Sequence, residues 1–158
     1  MFKSKRQTIF FILALVLMGV IFYFSHQTAE VSTGQSDSIG IIIGRIIFKD
    51  FAMWDKAMQL AFASEISHVV RKTALATEYG ILALFWFNAL LSKESKLPKT
   101  GIITVIICAL YATTDEIHQL FIPGRSCKAG DVLIDSIGAI IVTLISCLVV
   151  YLYRKRNK

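Results

Sequence analysis

The chain has 158 residues, 55% of them hydrophobic and only 18% charged, with a formal net charge of +6 and a mean hydropathy of +0.62. A water-soluble domain of this size needs more charge to cover its surface, so the composition excludes that class and points to an integral membrane protein. No basic stripe with interleaved aromatics is present, so the positive charge is not a nucleic-acid footprint and no nucleic-acid partner is expected.

The first apolar block, Ile9 to Phe24, is sixteen residues long and follows the basic "KSKR". It reads as a transmembrane helix over about 8–25. The "SHQTAEVS" after it offers no small-x-small cleavage site, so an uncleaved anchor is expected rather than a signal peptide. "SIGIIIGRIIF", Ser38 to Phe48, is apolar but too short to span, and is expected to form an interfacial or re-entrant helix. Its Gly40 and Gly44 form a small-xxx-small pair that admits a close helix neighbour. A second outer helix is expected from about Trp54 to Lys72, with Met58, Phe62, Ile66 and Val69 as its buried stripe. Trp54 suits a membrane interface. Further spans are expected over about 73–91, 100–118 and 131–153, with Asp131 as N-cap of the last. The expected fold is an all-α membrane protein of one domain over 1–158. It has four transmembrane helices and an outer interfacial or re-entrant segment between the first two.

Orientation follows from Lys and Arg. "KSKR", "SKESKLPK" and "RKRNK" hold ten of the seventeen Lys and Arg and one acid, Glu94. The positive-inside rule then places both termini in the cytoplasm of a multi-pass cell-membrane protein. Of the cysteines, Cys108 and Cys147 lie in expected spans and read as small packing residues, and Cys127 is a single outer thiol. No CxxC or other metal spacing is present.

Polar residues converge at the outer ends of the spans. In "YATTDEIHQLFIPGR", Tyr111, Asp115 and His118 follow i, i+4, i+7 and share one helix face, followed by Gln119. Asp131 and Asp135 lie one turn apart at the start of the last span. Arg71 and Lys72 stand at the mouth of the second, with Glu78 two turns in. Pro123-Gly124 is a turn dipeptide that carries Arg125 and Lys128 to the same rim. An ionisable group inside a span costs about 2.5–3.5 kcal/mol, so Glu78 and Asp135 should be paired or line a polar cavity. Two arrangements satisfy this. One is an ion-pair clasp of Glu78 or Asp135 with Arg71 or Arg125. The other is a functional pocket.

In a pocket, Arg71, Lys72 and Arg125 would hold a phosphate or carboxylate. Asp115, Gln119, Asp131 and Asp135 would orient polar groups. The ligand would be an anionic or zwitterionic envelope component, such as a membrane lipid head group or a lipid-linked cell-wall precursor. The alternative is a membrane-embedded enzyme acting on such a substrate by acid–base or metal-dependent chemistry. Glu78, Asp115, Glu116, His118 and Asp135 are its candidate catalytic groups. A metal on Asp115, Glu116 and His118 is disfavoured, since one histidine makes a poor zinc site and HExxH is absent. No metal or cofactor is expected. Ion or proton transport is disfavoured because the acids cluster at one surface.

"RKTALATEYGIL" followed by "YATTDEIHQLFIPGRSCKAGDVLIDSIGA" resembles the VanZ family of bacterial membrane proteins, as does "FSHQ" after the first span. The resemblance implies four transmembrane helices and an association with teicoplanin resistance in the founding member, without an established reaction. It carries the family pattern onto Ser25, Gln27, Arg71, Lys72, Glu78, Tyr79, Asp115, Glu116, His118, Gln119, Arg125, Asp131 and Asp135. Leu75 stands where the family commonly has a histidine, so chemistry that depends on that histidine is put in doubt here.

Overall fold

The computed structural model describes residues 4–157. Five α-helices follow one another: α1 (Lys5–Ser25), α2 (Ala29–Ile47), α3 (Lys56–Leu90), α4 (Leu97–Gln119) and α5 (Ala129–Arg156), with a short 3-10 turn at Phe51–Met53. Ser4 caps α1 by accepting the Gln7 N–H, and Thr28 caps α2 by accepting the Val31 N–H. Pro98 lies in the first turn of α4, where the missing N–H costs nothing.

The polarity is inverted relative to a water-soluble bundle. On α5, Leu133, Ile137, Leu144, Leu148 and Leu152 are exposed, whereas Asp135, Thr143 and Ser146 are buried. On α4, Ile102, Ile106 and Leu110 face out while Thr100, Thr104 and Asp115 face in. Lipid solvates the apolar faces; Thr100, Thr104 and Ser146 donate to carbonyls one turn back, whereas Thr143 Oγ1, Asp115 Oδ1 and Asp135 Oδ1 are buried without a bond among the described residues. α1, α4 and α5 are each long and apolar enough to cross a membrane. The fourth expected span, 73–91, does not reach that apolarity, because Thr73, Thr77, Glu78 and Asn88 dilute it.

That segment is also not a separate helix. It is the C-terminal half of α3, whose 35 residues run unbroken from Lys56. The outer helix expected from Trp54 to Lys72 and the expected second span are therefore one element. No glycine or proline falls between Lys56 and Tyr79 to interrupt it. At 1.5 Å per residue α3 is about 50 Å long, well beyond a ~30 Å hydrocarbon core. α3 packs against each of the other four helices.

The expected short helix at Ser38 to Phe48 is only the second half of the 19-residue α2, which begins at Ala29. α2 folds back on the first half of α3 as a hairpin. The glycine pair performs as its spacing suggests. A Cβ on Gly40 would come within 2.9 Å of Ala63 Cα, and one on Gly44 would strike the Phe51 ring. Phe48, Phe51, Trp54 and Phe62 close the hairpin tip as an aromatic cluster with centroids 5.0–6.5 Å apart. The expected buried stripe holds only in part: Phe62 and Ile66 are partly buried, with Phe62 in the aromatic cluster, but Met58 and Val69 are not packed. Met58 is 58% and Val69 64% exposed, and Ala63 is the residue buried against α2. Gly40 demands a small partner, which turns Ala63 rather than the larger side chains towards it.

The three basic segments gather at one end of the bundle. Gln7 donates to the Leu91 carbonyl at 3.2 Å, and Arg154 donates to the carbonyls of Ser95 (2.9 Å) and Ser92 (2.8 Å). This ties the starts of α1 and α4 to the ends of α3 and α5. The polar constellation lies at the opposite end.

Candidate functional site

α1 and α4 run side by side in the same direction, and the face they share orders the polar end. Tyr111 donates its hydroxyl to the Met18 carbonyl at 2.6 Å. Two turns on, His118 packs on Phe22 with centroids 4.5 Å apart and meets His26 with Nδ1 and Nε2 3.3 Å apart. The two imidazole planes differ by only 19° and the centroids lie 5.5 Å apart. The rings therefore meet edge to edge through one N–H···N bond. Tyr111, Asp115 and His118 thus share a face, as their spacing predicts. The pairing of His118 with His26 is not predicted by the sequence, because nothing local links residues 92 positions apart.

The loop between α4 and α5 turns at Pro123 and Gly124, with φ +75° at Gly124 and the Arg125 N–H bonded to the Ile122 carbonyl at 3.1 Å. Proline in the second position and a positive-φ glycine in the third make this a type II turn. It delivers Arg125 to the α1–α2 junction. There Nε donates to the Gln27 carbonyl at 2.8 Å, and Nη2 donates to the Phe24 carbonyl at 3.3 Å and to the Ser32 hydroxyl. Arg125 makes no ion pair with Glu78, so that version of the clasp is not formed. Burial lowers the Arg125 pKa from its usual range, and Arg71 beside it lowers it further, while Asp115 and Glu116 oppose both.

Glu116, 3% exposed, accepts the Lys128 N–H at 2.9 Å and so fastens the loop where α5 begins. Asp131 is not the N-cap. Lys128 holds that position without a side-chain cap bond, and Asp131 lies in the first turn, where its charge suits the helix dipole. Asp135, 2% exposed, has an unbonded Oδ1 and sits near Tyr79, whose buried hydroxyl is also unbonded.

A cavity of about 480 Å³ opens between α1, α2, α3 and α4. Gln35, Arg71, Glu78, Asp115, Gln119 and Arg125 supply its charged and amide groups. Ile21, Phe24, Ile39, Val70 and Leu75 supply apolar wall. A smaller recess of about 90 Å³ adjoins it, lined by His68, Arg71, Lys72, Arg125, Lys128 and Asp131. Arg71, Leu75 and Arg125 line both, so the site is a cation-rich mouth over an amphipathic chamber. Leu75 gives this partition an apolar side chain. Ser25 also lines the chamber, whereas Glu116, His118 and Asp135 do not. Ser32, Gln35 and Ser36 of α2 do, and the sequence does not single them out because Ala29 to Asp37 carries no apolar run. Their signal was the Thr28 cap.

Among the described residues, no Lys or Arg nitrogen comes within 4.0 Å of the carboxylates of Glu78, Asp115 or Asp135. The ion-pair clasp is thus not the arrangement found. Nor do three or more His, Cys, Asp or Glu side chains group to hold a metal ion among these residues.

A model of the VanZ/LLP1 family matches residues 10–150, nearly the whole chain. Neither the curated proteins nor the solved structures compared with the chain gave a match. The match covers the "FSHQ" turn, the Arg71–Glu78 segment of α3 and the whole of the α4–α5 polar end, so the chain belongs to the VanZ/LLP1 family.

Proposed function

We propose that this membrane protein binds the anionic head of a cell-envelope amphiphile in the cavity at its polar end. The supporting observation is the pair of guanidinium groups, Arg71 and Arg125, beside one another on one cavity with no carboxylate at ion-pair distance from the described nitrogens. Two like charges in a partly dry site repel unless an anion lies between them. Lys72 and Lys128 at the mouth add to the attraction. The apolar wall suits an acyl or polyprenyl chain, which favours a lipid or lipid-linked precursor over a free ion.

The test uses Arg71→Gln, because the Arg71 side chain makes no hydrogen bond to the described residues. Binding of a short-chain phosphatidylglycerol to detergent-purified protein should weaken about tenfold or more, the value of one charge-assisted contact, with the melting temperature unchanged. Unaltered binding would remove the proposal.

In the same reading, the apolar second half of α3 is the fourth span and α2 lies at the interface. The cavity faces outward with both termini in the cytoplasm. Single cysteines placed near Lys96 and Lys155 should resist a membrane-impermeant thiol reagent in intact cells, and labelling there would reverse the orientation. With an outward cavity, capture of a lipid-linked wall precursor connects this site to teicoplanin resistance, as the family resemblance implies. An acid–base enzyme is the second reading. The unbonded, buried Asp115 Oδ1 on the cavity that Glu78 also lines favours it, and detection of a reaction product is its test.

A further inference from the structure

An anion answers only half of the charge that lines the cavity. Glu78 and Asp115 both line the chamber, lie within electrostatic reach of one another, and have no cation at ion-pair distance among the described residues. Asp115 is 4% exposed, and the Gln119 amide occupies only Oδ2, at 3.2 Å. Its Oδ1 is buried without a bond within 3.5 Å, as is the hydroxyl of Ser25, which interacts with this carboxylate and lines the same chamber. Two adjacent carboxylates out of water need a cation or a proton between them, as two guanidinium groups need an anion. The chamber therefore carries two like-charged pairs of opposite sign, neither with a counter-charge at ion-pair distance among the described residues. Arg71 and Glu78 are seven residues apart on one face of α3, about 10 Å along the axis at 1.5 Å per residue.

Resting on the anion-binding reading of this site, we propose that the cavity takes a zwitterionic head group of the phosphoethanolamine type. Its phosphate lies between Arg71 and Arg125, and its primary ammonium between Glu78 and Asp115. The length fits. A phosphate and an ammonium separated by four single bonds of about 1.5 Å span roughly 5 Å. A charge-assisted contact of about 2.8 Å at each end brings the reach to about 10 Å. A phosphatidylglycerol head has no cation for the carboxylates. A choline head has a cation but no N–H to donate to Asp115 Oδ1.

The experiment measures equilibrium binding to the detergent-purified full chain of three probes: dihexanoyl phosphatidylethanolamine, dihexanoyl phosphatidylglycerol and free phosphoethanolamine. The ethanolamine lipid should bind about tenfold tighter than the glycerol lipid, one charge-assisted hydrogen bond's worth. Glu78→Gln, whose parent side chain makes no hydrogen bond to the described residues, should erase that preference without weakening the glycerol lipid. Asp115→Asn gives a second route to the same result if Glu78→Gln melts early. Free phosphoethanolamine should bind more weakly than the lipid, since it leaves the Ile21 and Phe24 wall uncovered. Equal binding would assign the same head-group site to the soluble ester. If both lipids bind equally and neither carboxylate variant changes their ratio, the zwitterion inference fails while the anion reading stands. If Arg71→Gln also leaves both lipids unaffected, the anion reading fails with it.

Discussion

Gly138→Ala is expected to destabilise the bundle by about 3 kcal/mol or more, at the upper end of overpacking costs for one added methyl group. A Cβ at Gly138 would lie 2.1 Å from the Ala76 carbonyl oxygen, 2.8 Å from its carbon and 3.0 Å from its Cα. All three are backbone atoms of α3, so no rotamer change relieves the contact and the helices must separate. Gly80, on the other side of the same crossing, is the informative comparison. There a Cβ would meet Val142 Cγ2 at 2.9 Å, and a side chain can rotate away, so Gly80→Ala should cost less. Gly130→Ala is the control, because nothing lies within 4 Å of the new methyl group. In detergent, melting temperature and folded yield should fall in the order Gly130, Gly80, Gly138. A Gly138→Ala variant that melts with the wild type would show that α3 and α5 do not cross this closely. The crossing matters to the site because α5 runs in the same direction as α3 and places Asp135 beside Tyr79. Pushing the helices apart should also open the floor of the polar end.

The three strongly apolar helices and the polar end were legible because both are local patterns. A run such as Ile9 to Phe24 has no soluble alternative, and "DEIHQ" at the end of an apolar helix announces itself. The Pro123–Gly124 turn was legible for the same reason, since each residue has one favoured place in a type II turn. What could not be read was long-range. The composition shift near Lys72 suggests a boundary between an outer helix and a span, yet a helix ends only where backbone or cap chemistry stops it, and nothing there does. Small-xxx-small was noticed at Gly40 and Gly44 but not at Ala76 and Gly80, because the latter pair meets Gly138 only in three dimensions. The bonds of Arg125 are long-range as well. Opposite formal charges suggest Glu78 as one partner, but the guanidinium bonds the carbonyls of Phe24 and Gln27 where α1 ends.

That last point changes what a conservative substitution at Arg125 tests. If Arg125 only held a ligand, Arg125→Lys would keep the charge and reduce binding while leaving the fold intact. In the structure its guanidinium spans three acceptors, the carbonyls of Phe24 and Gln27 and the Ser32 hydroxyl, from one planar fork. An ammonium is a point donor on a flexible stem and cannot reach all three with the same geometry. Hydrogen bonds from charged donors contribute about 1.5–3 kcal/mol each, so losing one to two of them should cost about 3 kcal/mol. Arg125→Lys is therefore expected to lower the melting temperature by several degrees. It should also speed amide exchange at both ends of the staple, around residues 26–32 and 120–128. Ser32→Ala removes one acceptor and should give a smaller shift. Gln27→Ala should leave this staple intact, because Arg125 binds the backbone carbonyl there and not the side chain. Arg71→Gln should weaken ligand binding at an unchanged melting temperature. Arg71 would then act on the ligand alone, while Arg125 staples the α1–α2 junction through Nε and Nη2 and meets the anion with the donors left over. An Arg125→Lys protein that melts and exchanges like the wild type but binds poorly would show that Arg125, too, acts on the ligand alone.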